Sequence, residues 1–215
     1  MPTIQELRET VIAFAKSCIK RLIPINQIST ESFIDFNSLV LFGWTHSEMP
    51  SVKFRSDLDI RRMTQDDLFT LTYGNGRFAD QARLYHATRG IDTAYGGYIG
   101  GELVHMSWVY TAAEYSKEPF QRLALEDREV EIVNCFTLEK CRGLGIYPYV
   151  IQFLSNLQFQ NGVERIYMMA DQKNHASQRG IIKAGLNPLG RITYMRIPAL
   201  SNKSVYYRRY QGRNI

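Results

Sequence analysis

Cysteine is scarce in this chain: Cys18, Cys135 and Cys141 are the three among 215 residues. An odd count without framework spacing argues against a disulfide scaffold or a zinc site and for a reducing compartment. Long apolar runs are also missing. None reaches the ~18 residues that a membrane helix needs, and the N-terminal residues lack the charged, apolar and small-residue order of a signal peptide. The expectation is therefore a cytoplasmic protein with no membrane partner and no metal. Outside the loop at Arg142, basic residues gather only at Arg208, Arg209 and Arg213, with no recognition motif beside them, which weighs against nucleic acid. Internal repeats and low-complexity segments do not occur. What is present is ordinary for a globular protein: 45% hydrophobic and 22% charged residues. The length fits one domain, or one domain with an appendage. A net charge of +5 suits an anionic ligand or partner.

One stretch stands out from this background. Residues 129–138 carry the β-branched and aromatic content of a buried strand. Arg142-Gly143-Leu144-Gly145 follows, and then Val150, Ile151, Leu154 and Leu157 recur at helical spacing. A strand that breaks at a glycine-rich turn and resumes as a helix leaves N–H groups unpaired at the helix start. With the positive end of the helix dipole they form an anion site, and Arg142 adds charge-assisted hydrogen bonds at its mouth. Taken alone, a Gly-x-Gly is more often a plain tight turn.

Its surroundings are more specific. Arg142-Gly143-Leu144-Gly145-Ile146-Tyr147 resembles the R/Q-x-x-G-x-G/A loop of the GNAT N-acyltransferase superfamily, which holds the pyrophosphate of coenzyme A. Glu131-Ile132-Val133-Asn134-Cys135-Phe136 resembles the fourth strand of that fold, especially in the histone-acetyltransferase branch. There a glutamate eleven residues before the R/Q is the general base, and Glu131 precedes Arg142 by eleven. Asn174-His175-Ala176-Ser177 and Lys183-Ala184-Gly185-Leu186 are similar to the N-x-A-S and K-x-G-F segments. The resemblance covers residues 57–198, with the segments in the family's order and spacing.

It implies an α/β (α+β) fold with a mixed, mostly antiparallel central sheet flanked by helices, and acetyl-CoA as acyl donor. In that fold the strand before the loop splays from the next parallel strand, and the pantetheine arm slides between them. The arm would pair with the backbone around Phe136, Thr137 and Leu138. Arg142 to Tyr147 would hold the pyrophosphate, with Asn174 and Ser177 completing the donor site. Two departures stand against the pattern. Tyr147 replaces the loop's final Gly or Ala. Ile181, seven residues after Asn174, replaces the tyrosine that usually protonates the leaving thiolate.

The rest of the chain reads more simply. Residues 3–22 form an amphipathic helix, with a Thr3/Glu6 capping box and Pro24 beyond its end. Residues 39–44 are a short apolar strand candidate and 48–56 a connector. Residues 1–55 are thus expected to be an N-terminal extension packed on the core, with packing on its own domain, a homodimer contact and a cover over the acceptor as alternatives. Residues 56–215 are expected to be the transferase domain. Further strands are expected over 59–63, 93–99, 102–112, 163–170, 189–197 and 204–209, with Gly100-Gly101 as a hairpin turn. Thr64 and Asp67 open one helix, residues 174–184 form another stopped by Gly185, and residues 77–89 are helical in part. Residues 116–128 read as a loop beside the site.

Amide formation requires the attacking amine to lose a proton, and Glu131 is placed to take it, directly or through water. A carboxylate in a strand of Val, Ile, Cys and Phe is costly unless it is used or paired. An arginine at a strand end is the alternative explanation, and Glu129 on the same face is the reserve base. A backbone N–H near Leu138 is the expected oxyanion donor. Tyr147 is the expected proton donor to the thiolate, set against plain packing. Tyr149 lies near the loop, His175 is surface or a proton donor, His105 reads as a satisfied core histidine, and Trp108 and Tyr110 as core. Cys141 beside the loop is either a reactive thiol or a bystander. The acceptor implied is a small amine, an amino sugar or an amino-acid-like compound. Long-chain acyl transfer, including delivery on acyl carrier protein, and a non-catalytic acyl-CoA sensor are the alternatives.

Overall fold

A computed structural model describes residues 35–51, 55–118, 122–196 and 209–212. The helix expected over residues 3–22 lies outside these residues. In chain order the elements are β1 (Asp35–Thr45), β2 (Asp59–Arg62), α1 (Gln65–Thr72), α2 (Arg77–Gln81), β3 (Ala94–Ile99), β4 (Glu102–Tyr110), α3 (Ala112–Ser116), β5 (Glu129–Thr137), α4 (Ile146–Gln160), β6 (Arg165–Asp171), α5 (His175–Ala184), β7 (Asn187–Arg196) and β8 (Arg209–Gly212). The strands form one sheet in the order β2-β3-β4-β5-β6-β1-β7-β8. Described residues 38–192 and 210–212 fall in one compact unit, and 35–37, 193–196 and 209 in a second. Every residue of the candidate site belongs to the first.

The sheet is mixed and mostly antiparallel, as expected. β5 and β6 run parallel with α4 between them, while β2/β3, β3/β4, β4/β5 and β1/β6 are antiparallel. Gly100 and Gly101 make the β3–β4 turn at φ 56° and 81°, a conformation that suits glycine and matches strand twist. Among the described residues no helix is long and apolar enough to cross a membrane.

β1 comes from the stretch read as an extension, yet it pairs with β6 from Leu39↔Asp171 to Thr45↔Arg165. The sheet therefore draws on residues ahead of 56. Alternation places neighbouring side chains in two cores. Phe42, Trp44, Ile132 and Met168 join Val150, Ile151 and Leu154 of α4 in one. Leu41, Val133 and Tyr167 join Leu68 of α1, Trp108 and Tyr110 in the other.

Trp44 ties β1 to the helix behind the site: its indole Nε1–H donates to Ser155 Oγ at 3.2 Å, with both residues buried. Ser155→Ala would leave that N–H unsatisfied. Such a loss costs about 1–3 kcal/mol, so urea unfolding should show a lower midpoint with an unchanged slope.

Candidate active site

β5 and β6 pair at Glu129↔Arg165, Val130↔Ile166 and Glu131↔Tyr167, and the pairing stops there. Beyond that rung β5 stays with β4 as far as Thr137↔His105, while β6 stays with β1 as far as Asp171↔Leu39. The sheet thus opens between them. A bulge re-aims β5 at this point: Asn134 and Cys135 together face Ser107, and Asn134 takes φ 53°. The bulged Asn134 carbonyl accepts from Gln81 Nε2 at 3.0 Å, and Gln81 Oε1 accepts from Trp108 Nε1 at 3.1 Å.

After β5 the chain makes one tight turn, Glu139–Cys141, and enters the glycine loop. Gly143 and Gly145 have φ 82° and 73°, where a side chain would be strained. α4 then starts at Ile146. The helix ladder begins with Tyr149 N–H to the Gly145 carbonyl at 3.3 Å, and Pro148 has no N–H to leave unpaired. The amides of Ile146 and Tyr147 therefore lead out of the helix end.

A cavity of about 720 Å³ occupies this corner. β5 supplies Cys135, Phe136 and Thr137. The loop and α4 supply Arg142, Gly143, Gly145, Ile146 and Tyr147. α5 and its cap supply Asn174, Ser177, Arg179, Gly180 and Lys183. Arg142, Arg179 and Lys183 give the wall three cations, and no carboxylate of the described residues lines it. Arg142 is anchored by its Nε–H to the Thr137 carbonyl at 3.3 Å and by Glu139 at 3.2 Å.

Leu138 and Leu144 do not line the cavity. The Leu138 N–H is donated to the Val104 carbonyl at 2.9 Å, so it is not free to hold a thioester oxygen. Asn174 caps α5, its side chain accepting from Ser177 N–H at 3.0 Å.

The two departures from the family pattern meet here. Ile181 is fully buried in the core. The Tyr147 ring reaches α5 from α4 instead, with its hydroxyl 3.1 Å from Ser177 Oγ. The Cδ1–Cε1 edge of the ring abuts Gly180, where a Cβ would stand 2.4 Å from Tyr147 Cδ1. Its other neighbour is the His105 ring, stacked at 6.2 Å. Burial pushes the Tyr147 phenol well above its ordinary range. His105 is buried, with Nδ1 2.7 Å from Thr137 Oγ1 and Nε2 2.7 Å from Ser107 Oγ. Burial lowers its pKa to about 3, so it is a neutral, fully partnered ring.

Glu131 sits at the last shared rung, 1% exposed, and does not line the cavity. The Tyr115 hydroxyl of α3 donates to its Oε2. Burial raises its pKa well above the carboxylate range. The strand-end arginine belongs to Glu129, which is 3.4 Å from Arg165 and accepts from Tyr167 Oη at 3.1 Å. Cys135 is half-buried, and burial pushes its thiol up to about 12. Cys141, Trp108 and Tyr110 are buried, His175 is exposed, and Tyr149 Oη accepts from the Arg55 N–H at 3.3 Å. Among the described residues no three His, Cys, Asp or Glu side chains group as a metal site requires.

Sequence reasoning missed Tyr115, Gln81 and Arg179. The capping box Thr111/Glu114, which opens α3, was the available signal for Tyr115.

The contact between Tyr147 and Gly180 is testable. Gly180→Ala should destabilise the fold by about 1–3 kcal/mol through overpacking. Adding Tyr147→Ala should recover part of that, with a coupling energy of about 1 kcal/mol or more in a double-mutant cycle.

No model of a protein family matches the sequence, and no match is found among curated proteins. Solved structures do match. A GNAT-family acetyltransferase from Colwellia psychrerythraea superposes with a TM-score of 0.55 at 16% identity, over 74% of this chain and 56% of that one. A putative GNAT-family acetyltransferase from Novosphingobium aromaticivorans gives 0.51 at 17% identity, over 74% and 63%. AAC(6')-Ib, solved in complex with ribostamycin and coenzyme A, gives 0.50 at 18% identity, over 74% and 94%. The chain thus spans less than two thirds of the first two. With its sheet opened between β5 and β6 and its glycine loop leading into α4, the chain has the fold of the GNAT N-acetyltransferases.

Proposed function

We propose that the chain is an acyl-CoA-dependent N-acyltransferase that moves an acetyl group from acetyl-CoA to the primary amine of a small molecule, an amino sugar or an amino-acid-like compound. The observation that carries this reading is the cavity at the opened sheet. The Gly143/Gly145 loop, the α4 N-terminus and three cations face it, and it reaches Cys135, four residues along β5 from Glu131. A ligand with phosphates at one end and an extended amide arm at the other fits that combination. Arg179 and Lys183, beyond the loop, favour the nucleotide phosphates of CoA over a carrier protein's single phosphate. The AAC(6')-Ib complex with ribostamycin supports a small-molecule amine acceptor.

In this mechanism the amine nitrogen attacks the thioester carbon and its proton passes to Glu131. The carbon–sulfur bond then breaks, and the thiolate takes a proton from Tyr147. Burial favours a Glu131 that accepts a proton, since it penalises the charged form. The desolvation that raises the Tyr147 phenol raises a thiolate beside it as well, so the second transfer is not opposed by the full shift. A non-catalytic acyl-CoA-binding protein is the second reading, favoured by the covering of Glu131 by Tyr115.

Mass spectrometry with acetyl-CoA and pooled amines tests the activity. Acetylated amine supports transfer, and CoA binding without turnover supports the second reading. Gly145→Val should abolish CoA binding in calorimetry of the folded variant.

Glu131→Gln should lower kcat by about 100- to 10,000-fold with CoA affinity retained. The base works deprotonated, and its raised pKa places the acid limb of the pH–rate profile above that of an ordinary carboxylate. Activity should fall as pH drops through that limb, and the limb should vanish in Glu131→Gln. Tyr147→Phe should slow turnover without weakening CoA if the phenol is the acid.

A further inference from the structure

We propose that Arg55 is a positioning residue for the phosphate loop, holding the Leu144 carbonyl from outside so that the loop's N–H groups stay turned toward the ligand. This deepens the reading of the loop as a CoA site and rests on it. Arg55 lies in the stretch that the sequence presents as a mere connector, yet its contacts converge on the loop and on the first turn of α4. One guanidinium nitrogen, Nη1, donates to the Leu144 carbonyl at 2.9 Å, across 89 residues of sequence. The other two nitrogens hold Asp57 in a bidentate pair, Nε at 2.9 Å and Nη2 at 2.5 Å. The guanidinium also lies 5.7 Å from the centre of the Tyr149 ring, and the Arg55 backbone N–H donates to Tyr149 Oη at 3.3 Å.

These contacts define a task. Leu144 stands between two glycines at positive φ, so its peptide has no regular secondary structure to fix it. A loop carbonyl that swung toward a pyrophosphate would repel it and spoil the N–H cradle. A guanidinium fixed on that carbonyl by a carboxylate behind it prevents the swing. Lysine cannot do the same, because a single ammonium lacks the planar fork needed to hold Asp57 and Leu144 together. Arg55 does not line the cavity, which makes it a support and not a ligand contact.

The test titrates the full chain and its Arg55→Gln and Arg55→Lys variants with CoA and with pantetheine, the same thiol arm without phosphates. Arg55→Gln should weaken CoA about tenfold, the size expected for a charge-assisted hydrogen bond. Arg55→Lys should weaken it several-fold, and neither should change pantetheine binding. If Arg55→Gln does not fold, Arg55→Lys carries the comparison. Unchanged CoA affinity overturns the proposal, as does equal weakening of both ligands, which a general structural role would give. A wild-type chain that fails to bind CoA overturns the reading of the loop itself, an outcome distinct from a binding wild type matched by its variants.

Discussion

Backbone amides inside a sheet must find partners, and β5 and β6 stop partnering each other after Glu131↔Tyr167. Each strand keeps its neighbour on the far side, so the two inner edges face a gap. A gap of that kind suits an extended molecule that carries its own amides. Nine residues after the end of β5 the chain begins α4, whose free N-terminal amides favour anionic oxygen. The short turn and glycine loop between them keep strand edge and helix end adjacent. One ligand with an amide arm and a phosphate head can then satisfy both, and the basic wall of Arg142, Arg179 and Lys183 has the matching sign.

The two glutamates of β5 show how position along one strand sets chemistry. Glu129 is at the rim, with Arg165 and Tyr167 on its carboxylate, and that pairing keeps an ion satisfied. Glu131, two residues on and on the same side, has passed inside the rim. Its partner is the phenol of Tyr115, a donor without charge, and burial alone sets its proton affinity. Burial penalises the charged form of Glu131 and so raises its affinity for a proton.

What could be read in the sequence was mostly local. The glycine loop, the Gly100-Gly101 turn, the Thr64/Asp67 cap and the Gly185 stop each depend on a few adjacent residues, and each is where it was expected. Placement across the sheet was less legible. Residues 39–44 read as a strand, but nothing local says that β1 lies between β6 and β7, because that partnership is decided by distant residues. The bulge at Asn134 was also hidden: its stretch reads as unbroken strand, and the extra residue has meaning only against Ser107 of β4. Tyr115 and Arg55 sit in stretches without periodicity, and each matters through a contact far along the chain. Glu131 was visible because a lone carboxylate among apolar neighbours is expensive anywhere. The strand-end arginine is present, but it pairs with Glu129.

The departures at Tyr147 and Ile181 form one arrangement with Gly180. A bulky ring at the end of the loop needs room, and Gly180 provides it by lacking the Cβ that would stand 2.4 Å away. With the ring laid on α5, Ile181 can turn wholly into the core. The hydroxyl is carried to Ser177, in the first turn of α5, and the ring stacks with His105, itself pinned between Ser107 and Thr137. Space along α5 thus passes from a side chain of that helix to one arriving from α4. The motif that the sequence resembles has a tyrosine where this chain has Ile181, and the folded chain brings the Tyr147 phenol to the cavity wall. For the transfer proposed above, a proton donor needs a hydroxyl within reach of sulfur, and the helix that carries it is immaterial.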